Sequence, residues 1–173
     1  MLTLVLAVAI ALAVSFFCSL LEAGLLSLST TDIAGISEKK PGVAAVWRGF
    51  KENVQKPIAV ILIVNTVANT MGASVSGAQF NHLFGPKWVM VFSACFSLAV
   101  IMWTEILPKT LGVKHNRFLA TKVAFPLKFA VMIFSPAVKV LEWINRPFVG
   151  RRTEKSGPDA LGDIDVLTRF AAL

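Results

Sequence analysis

The sequence predicts an all-α integral membrane domain with three transmembrane helices, a cytoplasmic helical hairpin and a kinked, belt-like juxtamembrane helix. Apolar residues make up 55% of the 173 residues, and the mean hydropathy is +0.71. Only 16% of the residues are charged, whereas about a quarter are charged in a typical soluble domain. The apolar residues also form long runs separated by basic segments. These observations exclude a soluble globular domain, a disordered chain and a coiled coil.

The first apolar run, residues 1–29, contains a single charged side chain, that of Glu22. It is long enough to cross a hydrocarbon core about 30 Å thick. A signal peptide is the competing interpretation, but the run lacks a positively charged start and is too long for one. We therefore expect a transmembrane helix that remains in the mature protein.

The second and third apolar runs, residues 57–80 and 88–107, are joined by a short loop. Pro57 suits the first turn of a helix, and the loop at residues 81–87 contains a Gly-Pro turn. Pro108 is expected to end the third helix. The two runs are therefore predicted to form an antiparallel transmembrane hairpin.

The distribution of basic residues predicts the orientation of these helices. The segment at residues 30–56 contains several lysines and arginines, and Pro41 divides it into two short helical pieces. The loop at residues 81–87 contains only Lys87, and more basic residues follow the third run. Because basic loops stay in the cytoplasm, we expect a multi-pass cell-membrane protein whose N-terminus is outside and whose C-terminus is cytoplasmic.

Residues 119–149 are apolar but are interrupted by lysines and prolines. The longest uncharged stretch, residues 129–138, is too short to cross a bilayer. Lysines spaced along an apolar helix are typical of an interfacial helix whose charged side chains reach water. We expect a belt-like helix in the cytoplasmic leaflet, and a fourth crossing is the alternative. Residues 1–150 would then be the transmembrane domain, and residues 151–173 a linker to a cytoplasmic regulatory region.

The net charge of +7 does not predict nucleic-acid binding. Most basic residues lie between or after apolar runs, and the aromatic residues do not alternate with them as in single-strand binding surfaces. His82 and His115 lie far apart, so a zinc site is not expected. The sequence also lacks a His/Asp pair or a Ser-Lys dyad in a suitable context, and we expect no enzymatic activity.

Only two of the ten carboxylates, Glu22 and Glu105, lie within the predicted spans. A carboxylate in the membrane normally faces a partner, a cavity or an ion, although snorkelling to the interface is an equal alternative for each residue alone. Polar residues at helical spacing accompany them: Ser15 and Ser19 on the first helix; Asn65, Asn69, Gly72 and Ser76 on the second; Ser93, Ser97 and Thr104 on the third.

These polar stripes are expected to pack against one another, because lipid cannot satisfy their hydrogen bonds. Interhelical hydrogen bonding, with small residues such as Gly72 and Gly77 allowing close packing, is the structural alternative. Hydroxyl, amide and carboxylate oxygens without imidazole or thiolate are the ligands of a hard cation: Mg²⁺, Ca²⁺ or Na⁺.

Three motifs resemble those of a known family. They are Ser19-Leu-Leu-Glu22-Ala23, Asn65-Thr-Val-Ala-Asn69 and Glu105-Ile-Leu-Pro108-Lys109. In order and in helix position they are similar to the transmembrane domain of the CNNM (cyclin M)/CorC magnesium transporters, over about residues 1–150. The Glu-x-x-Pro-Lys element is the most specific of the three. One departure is Trp103-Thr104, which precedes Glu105 where the family usually has a glycine.

The resemblance implies Mg²⁺ transport, often considered efflux and in some members linked to Na⁺, through an acidic cavity open to the cytoplasm. Mg²⁺ is then the transported substrate. It also implies a homodimer in the lipid bilayer, with ATP acting only through a CBS-pair domain that this sequence does not contain. The metal-binding residues expected here are Ser19, Glu22, Asn65, Asn69 and Glu105.

Two further expectations concern the site and its alternative. Glu22 is expected nearer the ion, Glu105 is expected to set the negative potential of the cavity, and Lys109 is expected to anchor at the headgroups rather than to neutralise Glu105. The alternative function is a membrane anchor and regulatory module that modulates other transporters.

Overall fold

The computed structural model describes residues 1–145, and within this range the chain is helical with no strands. The α-helices are α1 (Leu2–Ser27), α2 (Thr30–Lys39), α3 (Pro41–Glu52), α4 (Gln55–Phe84), α5 (Val89–Ala99), α6 (Leu107–Lys114) and α7 (Asn116–Asn145). A 3₁₀ turn, Pro86–Trp88, precedes α5, and a π-helical segment, Val100–Ile106, joins α5 to α6. The all-α class is confirmed for this range, whereas the predicted linker at residues 151–173 lies outside the described residues.

Within residues 1–145, four helical stretches are long and apolar enough to cross a membrane: Leu2–Ser27, Gln55–Phe84, Pro86–Lys114 and Asn116–Val140. This supports a multi-pass membrane protein. The fourth helix covers much of the segment predicted to lie in the interface, so the predicted count of three crossings is not confirmed. The chain up to Val138 forms one compact unit.

Helix α1 is the central element of the first unit, since it packs against α4, α6 and the π-helical segment. Two glycines permit these contacts. A Cβ atom on Gly72 would overlap the Cβ atom of Ala11. A Cβ atom on Gly112 would lie 2.7 Å from the Cβ atom of Ala23. Glycine therefore permits close packing of α1 against α4 near the middle of α1 and against α6 near the C-terminal end of α1.

The α2–α3 hairpin is begun by a capping box. The Ser29 hydroxyl accepts the backbone N–H of Asp32, and the Asp32 carboxylate accepts the backbone N–H of Ser29. Pro41 then occupies the first turn of α3, a position that does not need its missing N–H. These local signals confirm the two short helical pieces that the sequence predicted.

The hairpin packs against the first half of α7. The buried Trp47 of α3 donates its indole N–H to the carbonyl oxygen of Ala120 at 2.9 Å. Ala124 and Leu127 are buried in the same hydrophobic core, which also contains Leu25 at the end of α1. The first half of α7 thus packs on the hairpin and shares a hydrophobic core with the end of α1.

The third apolar helix does not end at Pro108, contrary to the prediction. A proline ring removes one backbone donor and clashes with the carbonyl of the residue four positions earlier, which is Thr104. The chain avoids a break because the turns before Pro108 are π-helical, and the N–H of Leu107 donates to the carbonyl of Met102. The helix then continues to Lys114.

Candidate metal site between the helices

Buried polar side chains meet where α1, α4 and the π-helical segment come together. The Ser15 hydroxyl oxygen lies 2.6 Å from Oδ1 of Asn65 and 2.9 Å from Oγ1 of Thr104. Thr104 donates its hydroxyl proton to the carbonyl oxygen of Val100 at 2.7 Å. Ser15 and Thr104 are fully buried, so neither solvent nor lipid contacts these hydroxyls.

Two asparagines extend this network from α1 to the carboxylate of the third helix. Nδ2 of Asn69 donates to Oδ1 of Asn65 at 3.3 Å, and Nδ2 of Asn65 donates to Oε1 of Glu105 at 3.4 Å. Both hydrogen bonds are long for their type. We call Ser15, Asn65, Asn69, Thr104 and Glu105 the polar cluster.

Some buried oxygens in and beside the polar cluster have no hydrogen-bond partner among the described residues. They are Oδ1 of Asn69 and Oγ of Ser19, and Oγ of Ser76 shares this property further along α4. A buried polar atom without a partner costs about 1–3 kcal/mol, and in a native structure it calls for a water, an ion or a functional role. Asn69, linked to Glu105 through Asn65, and Ser19, about one helical turn before Glu22, thus each provide one unsatisfied oxygen.

Lys109 lies between the two intramembrane carboxylates. Its Nζ is 3.2 Å from Oε2 of Glu105 and 3.7 Å from Oε2 of Glu22. All three side chains are partly exposed. The structure therefore gives Lys109 the role of a counter-charge, which was the less favoured of the two sequence interpretations.

The predicted site residues are arranged as follows. Asn65, Asn69 and Glu105 are joined by hydrogen bonds. Glu22 joins Glu105 only through Lys109, and Ser19 is fully buried on α1 without a partner. The ligand role of these five residues stays a prediction.

Sequence reasoning left two cluster members, Ser15 and Thr104, out of the site. The sequence contains a signal for each of these two residues: Ser15 shares the α1 stripe with Ser19, and Thr104 is adjacent to Glu105. The predicted stripe on the third helix is wrong for Ser93 and Ser97, which are exposed whereas Thr104 is buried. The π-helical segment changes the rotation per residue, so residues on one face of a regular α-helix lose their alignment.

The donors available here are all oxygens. The described residues contain no group of three or more His, Cys, Asp or Glu side chains able to hold a metal, so an ion here would be bound by mixed hydroxyl, amide and carboxylate oxygens. Such donors suit Mg²⁺, Ca²⁺ or Na⁺. In the described part of the chain, two clefts of about 340 and 480 Å³ are both lined by residues of the α2–α3 hairpin and α7. The acidic cavity open to the cytoplasm stays a prediction.

Several apolar helices surrounding a buried polar cluster define a multi-pass helical membrane domain. The chain belongs to the cyclin M family: the model of the Cyclin M transmembrane N-terminal domain matches residues 6–161. The resemblance found in the three motifs is thereby confirmed.

Relatives of the chain come from bacteria and plants. It is 33% identical over 153 residues to the UPF0053 protein sll1254 of Synechocystis sp., covering 88% of this chain and 44% of that protein. It is 26% identical to the DUF21 domain-containing protein At1g55930, chloroplastic, of Arabidopsis thaliana, covering 79% of this chain and 21% of that protein. A UPF0053 protein of Haemophilus influenzae is 27% identical, covering 84% of this chain and 34% of that protein. The chain thus spans less than half the length of each of these relatives.

Proposed function

We propose that this domain transports Mg²⁺ across the membrane and that the polar cluster, with Ser19 and Glu22, forms its ion site. The observation that carries the proposal is two buried oxygens without hydrogen-bond partners among the described residues, Oδ1 of Asn69 and Oγ of Ser19. Asn69 is linked to Glu105 through Asn65, and Ser19 lies about one helical turn before Glu22. Family membership supports a role in ion transport. The choice of Mg²⁺, its efflux, its coupling to Na⁺ and a homodimeric assembly rest on the resemblance.

Mg²⁺ prefers six oxygens at about 2.0–2.1 Å and gives up its water reluctantly. A transport site must therefore supply replacement oxygens in one state and withdraw some of them in another. Asn69 and Ser19 can contribute neutral oxygens without breaking a hydrogen bond, and the long bonds of Asn65 are weak enough to exchange. Glu22 and Glu105 supply the charge compensation.

Lys109 neutralises part of the charge of the two carboxylates when no metal is bound. Its ammonium group lies between Glu22 and Glu105, where it reduces their mutual repulsion. A divalent cation arriving at these carboxylates repels the ammonium group and takes over its role. Binding is therefore an exchange of one cation for another at the two carboxylates.

The proposal includes three crossings with α7 at the cytoplasmic interface. The packing of the first half of α7 against the amphipathic hairpin, through Trp47 and Ala120, supports it. Lys122, Lys128 and Lys139 along α7 are expensive at the centre of a bilayer and inexpensive at its surface. We propose that the domain acts without enzymatic chemistry.

The test is Mg²⁺ flux in liposomes containing the purified chain and an enclosed Mg²⁺-sensitive dye. We expect saturable flux that is reduced in the Asn69→Ala variant and retained in Asn81→Ala, which changes an exposed asparagine at the far end of α4. Flux equal to that of protein-free liposomes would reject transport and favour the anchor and regulatory module.

A further inference from the structure

A basic cleft lies between α2 and the first turns of α7, away from the polar cluster. Its volume is about 340 Å³, and Lys39 and Lys40 at the end of α2 line it together with Arg117 and Phe118 of α7. Three basic side chains thus share the cleft with one carboxylate, that of Asp32. The cleft is electropositive and has one aromatic wall.

Asp32 holds Arg117 in place rather than neutralising the cleft. Its carboxylate accepts the hydroxyl and backbone N–H of Ser29 and pairs with Nε of Arg117 at 2.5 Å. The hydrogen bonds from Ser29, followed by those from Arg117, lower the pKa of Asp32 to about 2. Arg117 remains 72% exposed, and a guanidinium group with Nε engaged retains further donors for an anion.

The cleft lies at the level where the first apolar helix ends. Nδ2 of Asn116, at the start of α7, donates to the carbonyl oxygen of Ser27, the last residue of α1. Phe118 beside it is 64% exposed. Basic groups at the end of a transmembrane helix lie in the headgroup region of the bilayer, and the exposed apolar ring of Phe118 is placed to meet the acyl chains beside them.

We propose that this cleft binds the phosphate-bearing headgroup of an anionic lipid. Lys39, Lys40 and Arg117 pair with the phosphate, and Phe118 packs against the upper part of the acyl chains. The cytoplasmic side predicted for the hairpin is the side on which a negative leaflet attracts basic segments. The inference goes beyond ion transport and is tested in the absence of Mg²⁺.

The experiment measures calorimetric binding of short-chain phosphatidylglycerol to the detergent-purified chain. Phosphatidylcholine with the same acyl chains and inorganic phosphate serve as the comparison ligands. The test variant is Lys39→Gln/Lys40→Gln, which alters two exposed side chains. The matched control, Lys56→Gln/Lys114→Gln, removes the same charge at two exposed lysines outside this cleft.

We expect phosphatidylglycerol affinity to fall about 25-fold in the test variant, because each lysine near an anionic lipid contributes about fivefold. We expect the control to change it less than threefold and phosphatidylcholine to bind at least tenfold more weakly. Equal losses in the test and control variants would overturn the proposal, because net charge alone would then explain binding. Inorganic phosphate binding as tightly as the lipid would reject the lipid as ligand and assign the cleft to free phosphate.

Discussion

Asn69 separates a ligand role from a structural role more cleanly than any other residue of the polar cluster. Its Nδ2 makes a long hydrogen bond to Asn65, whereas its Oδ1 is buried without a partner. Replacing Asn69 by alanine removes one weak bond and also removes an unsatisfied acceptor, so the stability change is expected to stay within about 1 kcal/mol. A Mg²⁺ ligand would nevertheless be lost.

The first prediction is that Asn69→Ala lowers Mg²⁺ affinity at least tenfold while its melting temperature without Mg²⁺ stays close to that of the parent. Isothermal titration calorimetry and a thermal melt measure the two effects. Ser76→Ala is the matched control, because Ser76 also has a buried oxygen without a partner but lies outside the polar cluster. A lowered melting temperature in Asn69→Ala with unchanged Mg²⁺ affinity would identify a purely structural asparagine.

The second prediction concerns the ammonium group of Lys109. Lys109→Met removes the cation that Mg²⁺ has to displace from Glu22 and Glu105. We expect Mg²⁺ affinity to rise about fivefold, in line with the ~1 kcal/mol upper range for partly exposed ion pairs. Lys114→Met, an exposed lysine later in α6, is expected to leave the affinity unchanged. A lower affinity in Lys109→Met would mean that Lys109 positions the carboxylates for the ion.

At the scale of elements, the capping box at the start of α2 links pH to stability. The folded-state pKa of Asp32, about 2, is below the ordinary value of about 3.9. Ionised Asp32 therefore stabilises the hairpin fully above pH 4. This contribution is lost as the pH falls from about 4 to 2.

The third prediction follows from the lowered pKa of Asp32. Asp32→Asn is expected to destabilise the chain at pH 7 and to show a smaller loss of stability than the parent between about pH 4 and pH 2. Ser29→Ala is expected to cost about 1 kcal/mol at pH 7, as for other N-caps. Thermal melts across this pH range measure both effects. If melting temperature depended on pH in the same way in the parent and in Asp32→Asn, ionised Asp32 would not be the stabilising group.

The fourth prediction concerns the docking of α7 on α3. Trp47→Phe keeps an aromatic ring but removes the N–H that reaches Ala120. We expect the free energy of unfolding to fall by about 1–3 kcal/mol, from the lost hydrogen bond and the space left by the smaller ring, and we expect faster hydrogen exchange in the first half of α7. The control is Trp88→Phe, at an exposed tryptophan in the 3₁₀ turn that follows α4. It is expected to change neither quantity.

The helices themselves differed in how far the sequence predicted them. The extent of α1 followed from hydropathy, and the division of residues 30–56 into α2 and α3 followed from Pro41; both are local signals. The third helix was predicted to end at Pro108 because proline usually ends a helix, and no local pattern revealed the π-helical turns that accommodate it. The same turns explain why Ser93 and Ser97 do not share the buried face of Thr104, contrary to the prediction. The predicted stripes on α1 and α4 have no such interruption, and they match the buried faces of those helices.

At the scale of the whole molecule, composition and family motifs predicted a multi-pass helical domain, but the number of crossings depends on α7. Hydropathy averages over a window and favours a crossing, whereas the positions of Lys122, Lys128 and Lys139 favour the interface. The pairing of Lys109 with Glu105 follows the i, i+4 spacing on one helix, whereas its approach to Glu22 depends on how α6 packs against α1.

The fifth prediction tests the topology. Single cysteines at Asn81, Lys51 and Lys155, in a chain whose native Cys18 and Cys95 are replaced by alanine, are treated with a membrane-impermeant maleimide. We expect Asn81 to label in intact cells, and Lys51 and Lys155 only after the membrane is opened. Labelling of Lys155 in intact cells would mean that α7 crosses the membrane.

The π-helical segment holds one residue more than an ordinary α-helix with the same rotation would hold. Deleting one residue between Val100 and Trp103 would let these turns become ordinary α-helix, leaving hydropathy and span length nearly unchanged. The residues after the segment would keep about the same orientation relative to α5, because the lost residue is offset by the larger rotation per residue of the α-helix. Lys109 and Gly112 would therefore still face α1. Pro108, however, would now stand inside a regular α-helix, where its ring clashes with the carbonyl of Thr104. A single-codon deletion here would therefore yield a protein that still inserts into the membrane but whose third apolar helix kinks or breaks at Pro108.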